Sequence, residues 1–433
     1  MTLNISPLFF DKNDYELLRI VHDVMRGSNL SKNLRSLLVE DMHPNGIKEM
    51  AAARGLRIAY AIANLLGSFE EGKAADRIKS LRSLRDEVFL SSATFHQVNT
   101  ARALLQIMKE LLRSEGNEMR QLQLAHDFRM VSTGNPRLVR QQLTAYHLLE
   151  MPEEFNQFAF DDHVHDANTK GRKSPTHLLM DAWIKGIRHL TVVYYNYVNV
   201  EVVEELIEAS RILDIKVQVG IEVSTPFRGK YVRFTWEPHG FVGNRAFLNF
   251  LRDGAVIRFF EQGREVSAFQ QRYVFEVIEV YNRRHREEWA AELGLSLPLL
   301  EREEFLRFVG AGQPSLLHLA RFIHNVFLKA SAPILPDLLR DEAEGDAVAK
   351  SAAKARLDLF RRCTMDSIID RFLLPWRNPE VHDPSQPLPA AELPELLRLS
   401  PKALLSRLHS LHSSSRITLN LGNLTVQDTL ELL

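Results

Sequence analysis

Several common frameworks are missing from this chain. Its 433 residues include one cysteine, Cys363, which excludes an internal disulfide and a zinc site built on thiolates. Long apolar runs are absent, and none approaches the roughly 20 residues of a membrane-spanning helix. The opening MTLNISPLFF lacks the basic start and apolar core of a secretory signal. Charge of one sign is also lacking: 54 basic and 55 acidic residues leave a formal net charge of -1. No global field therefore draws the chain toward nucleic acid or an anionic membrane. No repeat of 20–50 residues recurs, which argues against a solenoid. A cytoplasmic globular protein is expected.

What is present is ordinary core material, 45% hydrophobic and 25% charged, with sixteen histidines. Any metal would be held by imidazole and carboxylate. The length suggests two or three domains. Residues 1–151 read as an all-helical N-terminal domain. Leu104, Ile107, Met108, Leu111 and Leu112 make an apolar stripe at the helical period. Leu56, Ala59, Tyr60, Ala63 and Leu66 make a second, and Ile78, Leu81, Leu84 and Val88 face inward on a third helix.

The pattern changes over 152–265. Strands are expected at Phe158–Val164, His189–Tyr195, Ile215–Val223, Tyr231–Trp236 and Ala255–Glu261, with helices at 175–185 and 200–213. Ser174 and Pro175 form a cap and first-turn pair for the first helix. Alternating strand and helix with short connections imply parallel strands and an α/β barrel or open sheet. Residues 266–400 read as a mostly helical insertion or extension. Residues 401–433 return to the barrel with the strand Arg416–Leu421 and a helix capped by Thr425 and Asp428. Six strands are few for a closed barrel, so further domains beyond residue 433 are expected.

Chemistry concentrates in FDDHVHDANTKGRKSP, residues 160–175. His163 and His165 alternate with Val164 on a strand, so both imidazoles point to one side. Such a pair suits a divalent transition metal, Zn, Mn or Fe. Asp161 shares their face and is the candidate carboxylate beside them. Lys170, Arg172 and Lys173 surround Gly171 just before a helix N-terminus, an arrangement suited to an anion. Glu222 ends a buried apolar strand and needs a partner; a metal, or a salt bridge to Arg228 or Lys230, would provide one.

These pieces resemble the polymerase-and-histidinol-phosphatase family. HxH corresponds to His163 and His165, the small-residue loop contains Gly171, the helix opens at Ser174-Pro175, and the third strand carries Gly220-Ile221-Glu222. The likeness covers about residues 158–236. It implies a distorted β/α barrel with metals at the C-terminal ends of its strands, held here by His163, His165, Glu222 and Asp161. Two departures stand out. The second strand ends Val193-Tyr194-Tyr195-Asn196, where the family has Thr-Asp-His, and Arg233 stands in place of a fourth-strand histidine.

The expected function is a metal-dependent hydrolase of phosphoesterase type with a partly degenerate metal site. Its partner would be a small phosphorylated or other anionic substrate, met by Lys170, Arg172, Lys173 and Arg233. Neither membrane nor nucleic acid is indicated. The alternative is a catalytically inactive scaffold or regulatory module of a larger protein. An amidohydrolase-like deaminase also uses HxH, but its later ligands have no counterpart here.

Overall fold

A computed structural model describes residues 10–25, scattered positions between 55 and 66, 73–85, 97–150, 160–310 except 172, and 312–432 except 383–385, 387 and 423. It is a mixed α/β structure with one five-stranded sheet and many helices. The chain divides into two compact units. The first takes Met1–Asp166, Lys173–Val192 and Asn199–Gln218, and the second Ala167–Arg172, Val193–Val198 and Val219–Leu433.

In the first unit the described helices are α1 (Lys12–Met25), α2 (Ala74–Arg85), α3 (Gln97–Arg113), α4 (Glu118–Ser132) and α5 (Pro136–Ala145). The stripe on α3 is real: Leu104, Ile107, Met108 and Leu111 are fully buried. Ala101, Ala103 and Leu105 are buried as well, so α3 is enclosed on more than one face. Tyr60 and Val88 lie outside the described residues. Strand β1 (Phe160–Val164) pairs in parallel with β2 (His189–Tyr195), Phe160 opposite His189. The first two residues of the expected strand, Phe158 and Ala159, fall outside the described set.

Helix α6 (Pro175–Lys185) crosses between these strands with the bounds its end signals predict. Ser174 accepts a hydrogen bond from the His177 N–H, and Gly186 ends the helix at φ 85°, a conformation that favours glycine. Helix α7 (Val200–Leu213) follows β2.

Strands β3 (Lys216–Phe227), β4 (Lys230–Pro238) and β5 (Ser415–Asn420) complete the sheet in the order β1-β2-β3-β4-β5. Here the expectation of parallel strands fails. β3 and β4 are antiparallel, as are β4 and β5. The cause is the turn between β3 and β4, where Arg228 (φ 50°) and Gly229 (φ 74°) are both left-handed. Two such residues make a tight hairpin, which reverses the chain with no room for a crossover helix.

The expected strand Ala255–Glu261 is also corrected. It belongs to a long helix that follows α8 (Gly243–Leu251), namely α9 (Gly254–Val280). Asp253 caps it by accepting from the Ala255 N–H. Val256, Phe259, Phe260 and Gly263 are buried at helical spacing, a period that the β-branched and aromatic residues obscured. The remaining helices are α10 (Arg286–Leu293), α11 (Arg302–Val309), α12 (Leu316–Ser331), α13 (Leu335–Glu344), α14 (Ala347–Arg362), α15 (Pro401–Leu411) and α16 (Val426–Leu432), besides single turns. Their core gathers Val277, Tyr281, Trp289, Phe305, Leu319, Ile323 and Leu373. The cap on α16 is as expected: Thr425 N–H donates to Asp428, and Asp428 N–H donates to the Thr425 hydroxyl. Among the described residues no helix is long and apolar enough to cross a membrane.

Candidate functional site

In the first unit, β1 brings the two histidines together. The rings of His163 and His165 lie edge to face with centroids 5.0 Å apart. His163 is exposed and His165 half-buried at the strand's C-terminal end. Asp161 turns its carboxylate back on the strand, where Oδ1 accepts from the His163 N–H at 3.3 Å. Two imidazoles supply part of a metal's donor set; catalytic zinc sites draw three ligands from protein. Among the described residues, no group of three or more His, Cys, Asp or Glu side chains could hold a metal. Two imidazoles by themselves fall short of that donor set. They do not fit a two-metal hydrolytic centre, and no step is assigned to one.

The second unit holds a separate cluster. Glu222 on β3 is 5% exposed, and its Oε1 is 3.6 Å from the Arg233 guanidinium on β4. The strand register explains the meeting. Ser224 opposes Arg233 and Glu222 opposes Thr235, so Glu222 and Arg233 are diagonal neighbours on one face. Arg228 and Lys230, the partners expected for Glu222, turn instead to Asp428 and Glu431. Their positions in and beside the hairpin turn carry them toward α16.

Lys170 and Tyr195 belong to the same cluster. The Lys170 ammonium stands 5.3 Å from the centre of the Tyr195 ring. Burial pulls the Lys170 pKa down and Arg233 adds to this, while Glu222 opposes. Burial, and then the negative charge of Glu222, push the Tyr195 hydroxyl above its ordinary range. The phenol therefore stays protonated at neutral pH and can donate a hydrogen bond. Tyr194 faces the other way and is 1% exposed, as strand alternation requires. Arg172 lies outside the described residues.

A buried polar network holds this end of β2. Asn196, at φ 62°, donates through its side chain to Ser267 and Gln270 of α9. Its backbone N–H donates to the Glu222 carbonyl at 2.8 Å. Gln313 donates to the Tyr195 carbonyl, and its N–H donates to the Thr169 carbonyl. The Lys170 loop and Tyr195 are thus tied to one glutamine, a residue that no sequence pattern singled out. A cavity of about 330 Å³ in this unit is lined by Tyr231, Phe269, Gln270, Arg272, Tyr273 and Glu276, among others. Tyr231 is two residues from Arg233 on β4, on the same face, and Gln270 belongs to the network.

The later histidines serve local packing. His318, 8% exposed, meets the Gln313 carbonyl and the Ser315 hydroxyl. His412 stacks on Phe241 and contacts the His239 carbonyl.

Lys173, expected beside the anion loop, turns to Asp181 of α6 in the first unit, as Lys109 of α3 does. Burial first, then neighbouring cations, lower both lysines to about 8. A base whose pKa falls on folding binds fewer protons than in the unfolded chain, so between about pH 8 and 10.5 stability should rise with pH. Thermal midpoints measured across that range should climb, and Lys109→Met should flatten the climb. A slope unchanged by that substitution would contradict the assignment.

No family model matches the chain, and no curated protein matches it. One solved structure from Bifidobacterium adolescentis, described as a "putative metal-dependent phosphoesterase", aligns at TM-score 0.38 with 10% identity. The alignment covers 64% of this chain and 73% of that one. The likeness is distant. It decides neither chemistry nor site residues.

Proposed function

We propose that this chain is a diverged phosphoesterase-type protein acting on a phosphorylated substrate, with a reduced metal site. His163 and His165 would hold one divalent transition metal, with Asp161 beside them. The observation that carries this reading is the approach of the two imidazoles at the end of β1, in the motif order that resembles the polymerase-and-histidinol-phosphatase family. Lys170 and Arg233 would receive the anion, with the protonated Tyr195 as a donor. Glu222, already paired with Arg233, is assigned to that anion cluster and no longer to the metal.

Metal analysis tests the proposal. Protein purified without chelator should contain Zn, Mn or Fe in stoichiometric amount, and His163→Ala and His165→Ala should lose it. Metal-free protein that hydrolyses no phosphomonoester with added Mn or Zn would end the reading. A second reading, a catalytically silent scaffold, is favoured by Tyr195 in the place of a ligand and by the Glu222–Arg233 pair. It expects no hydrolysis whatever the metal content.

A further inference from the structure

A different concentration of charge lies within the first unit. Lys109, Glu110 and Arg113 stand on α3, His177, Asp181 and Lys185 stand on α6, and Lys173 lies just before α6. Asp181 is the centre, with a side chain 7% exposed. Lys109 Nζ is 2.5 Å from its Oδ1, the Lys173 ammonium contacts Oδ2, and His177 Nε2 is 3.9 Å from Oδ1. Arg113 pairs with Glu110 at 2.8 Å.

Near pH 7 these four cations share two carboxylates among the described residues, and two positive charges are left over. The surplus is felt across the cluster. Arg113 and Lys185 both depress Lys109 and Lys173, after burial. Burial, then Lys173, Lys109 and Arg113, hold His177 down at about 3, so its ring is neutral near pH 7. Like charges gathered this way destabilise a fold unless something neutralises them.

The arrangement suits a small, doubly charged occupant. Lys109, with its side chain 13% exposed, and Asp181 make a fixed floor. Lys173, 37% exposed, and Arg113, 63% exposed, stand at the rim within reach of solvent. Residues 109 and 113, and 181 and 185, are one helical turn apart and share a face. Ammonium and guanidinium groups together match the oxygens of a tetrahedral dianion. A nucleic acid would need a longer basic stripe than this compact group offers.

We propose that the cluster of Lys109, Lys173, Arg113 and Lys185 around Asp181 is a binding site for a phosphate dianion, either free phosphate or the phosphoryl group of a monoester. It needs neither the metal nor the Lys170–Arg233 cluster.

Equilibrium dialysis of the full chain against radiolabelled inorganic phosphate, at low salt and with EDTA present, tests it. Saturable binding is expected, displaced by sulfate and not by acetate. Arg113→Gln and Lys185→Gln each remove an exposed cation, so folding is not at stake. Each should weaken binding about tenfold, the scale of one charge-assisted hydrogen bond. Phenyl phosphate competing more strongly than inorganic phosphate would identify a monoester ligand, and the reverse order free phosphate. In an Arg233→Gln background, which removes the other anion cluster, the phosphate binding that Arg113→Gln and Lys185→Gln weaken must persist, so the proposal fails separately from the metal-site reading. No saturable binding, or binding unchanged in both Arg113→Gln and Lys185→Gln, would overturn it.

Discussion

Replacing Arg77 with alanine should cost about 3–5 kcal/mol of stability, the scale of breaking a buried ion pair by removing one partner. Arg77 on α2 grips Glu205 on α7 with two parallel hydrogen bonds, Nε to Oε1 at 2.8 Å and a terminal nitrogen to Oε2 at 2.6 Å. The side chains are 14% and 4% exposed, so solvent cannot replace the lost partner. Thr176, in the first turn of α6, donates to the same carboxylate through its hydroxyl at 2.7 Å and its N–H at 3.3 Å. Glu205 therefore joins α2, α6 and α7. Arg77→Ala would leave a buried carboxylate with two neutral donors. The double change Arg77→Met with Glu205→Leu removes both charges and should recover most of the loss. Urea unfolding of the three variants measures this. A single-variant loss below about 1 kcal/mol would show the pair to be solvated after all.

The second large effect is expected at Gly263 on α9. A Cβ built there would lie 2.2 Å from the Asn196 carbonyl oxygen and 2.8 Å from its carbon. Both are backbone atoms and cannot rotate away. Gly263→Ala should therefore cost about 3 kcal/mol, the upper part of the range for overpacking. The displaced peptide is the one that follows Asn196, the residue whose own N–H donates to the Glu222 carbonyl and whose side chain donates to Ser267, so anion binding at Lys170 and Arg233 should weaken as well. Gly254, at the start of the same helix, is the control. Its nearest neighbour would be an arginine side-chain nitrogen at 3.5 Å, ordinary contact distance, so Gly254→Ala should leave stability nearly unchanged. Equal losses in the two variants would refute the packing argument.

Local signals were enough where the elements are set by neighbours in sequence. α6 is bounded by Ser174, Pro175 and Gly186, and β2 by its run of β-branched and aromatic residues; both have the bounds expected of them. The rings of His163 and His165, two residues apart, come within 5.0 Å of each other, although His165 lies just past β1 and the pairing shifts register between Asp161 and Val164. At Ala255–Glu261 a β-rich composition hides a helical period, which the burial of Val256, Phe259, Phe260 and Gly263 exposes.

The direction of β4 is set by the Phe227-Arg228-Gly229-Lys230 turn. Its shortness excludes the crossover that a parallel pair needs.

The motif of two histidines and a basic loop is thus determined by sequence as far as it is local. Two histidines only two residues apart keep their rings close whatever surrounds them. The partners of each charge were decided by tertiary structure. Glu222 went to Arg233 because β3 and β4 pair in one register, and Lys173 went to Asp181 because α6 returns that carboxylate beside its own N-terminal loop. Lys109, 64 residues earlier in the chain, reaches the same oxygen pair only through folding. Long-range electrostatics depend on which helices and strands become neighbours, and no spacing within the sequence records that.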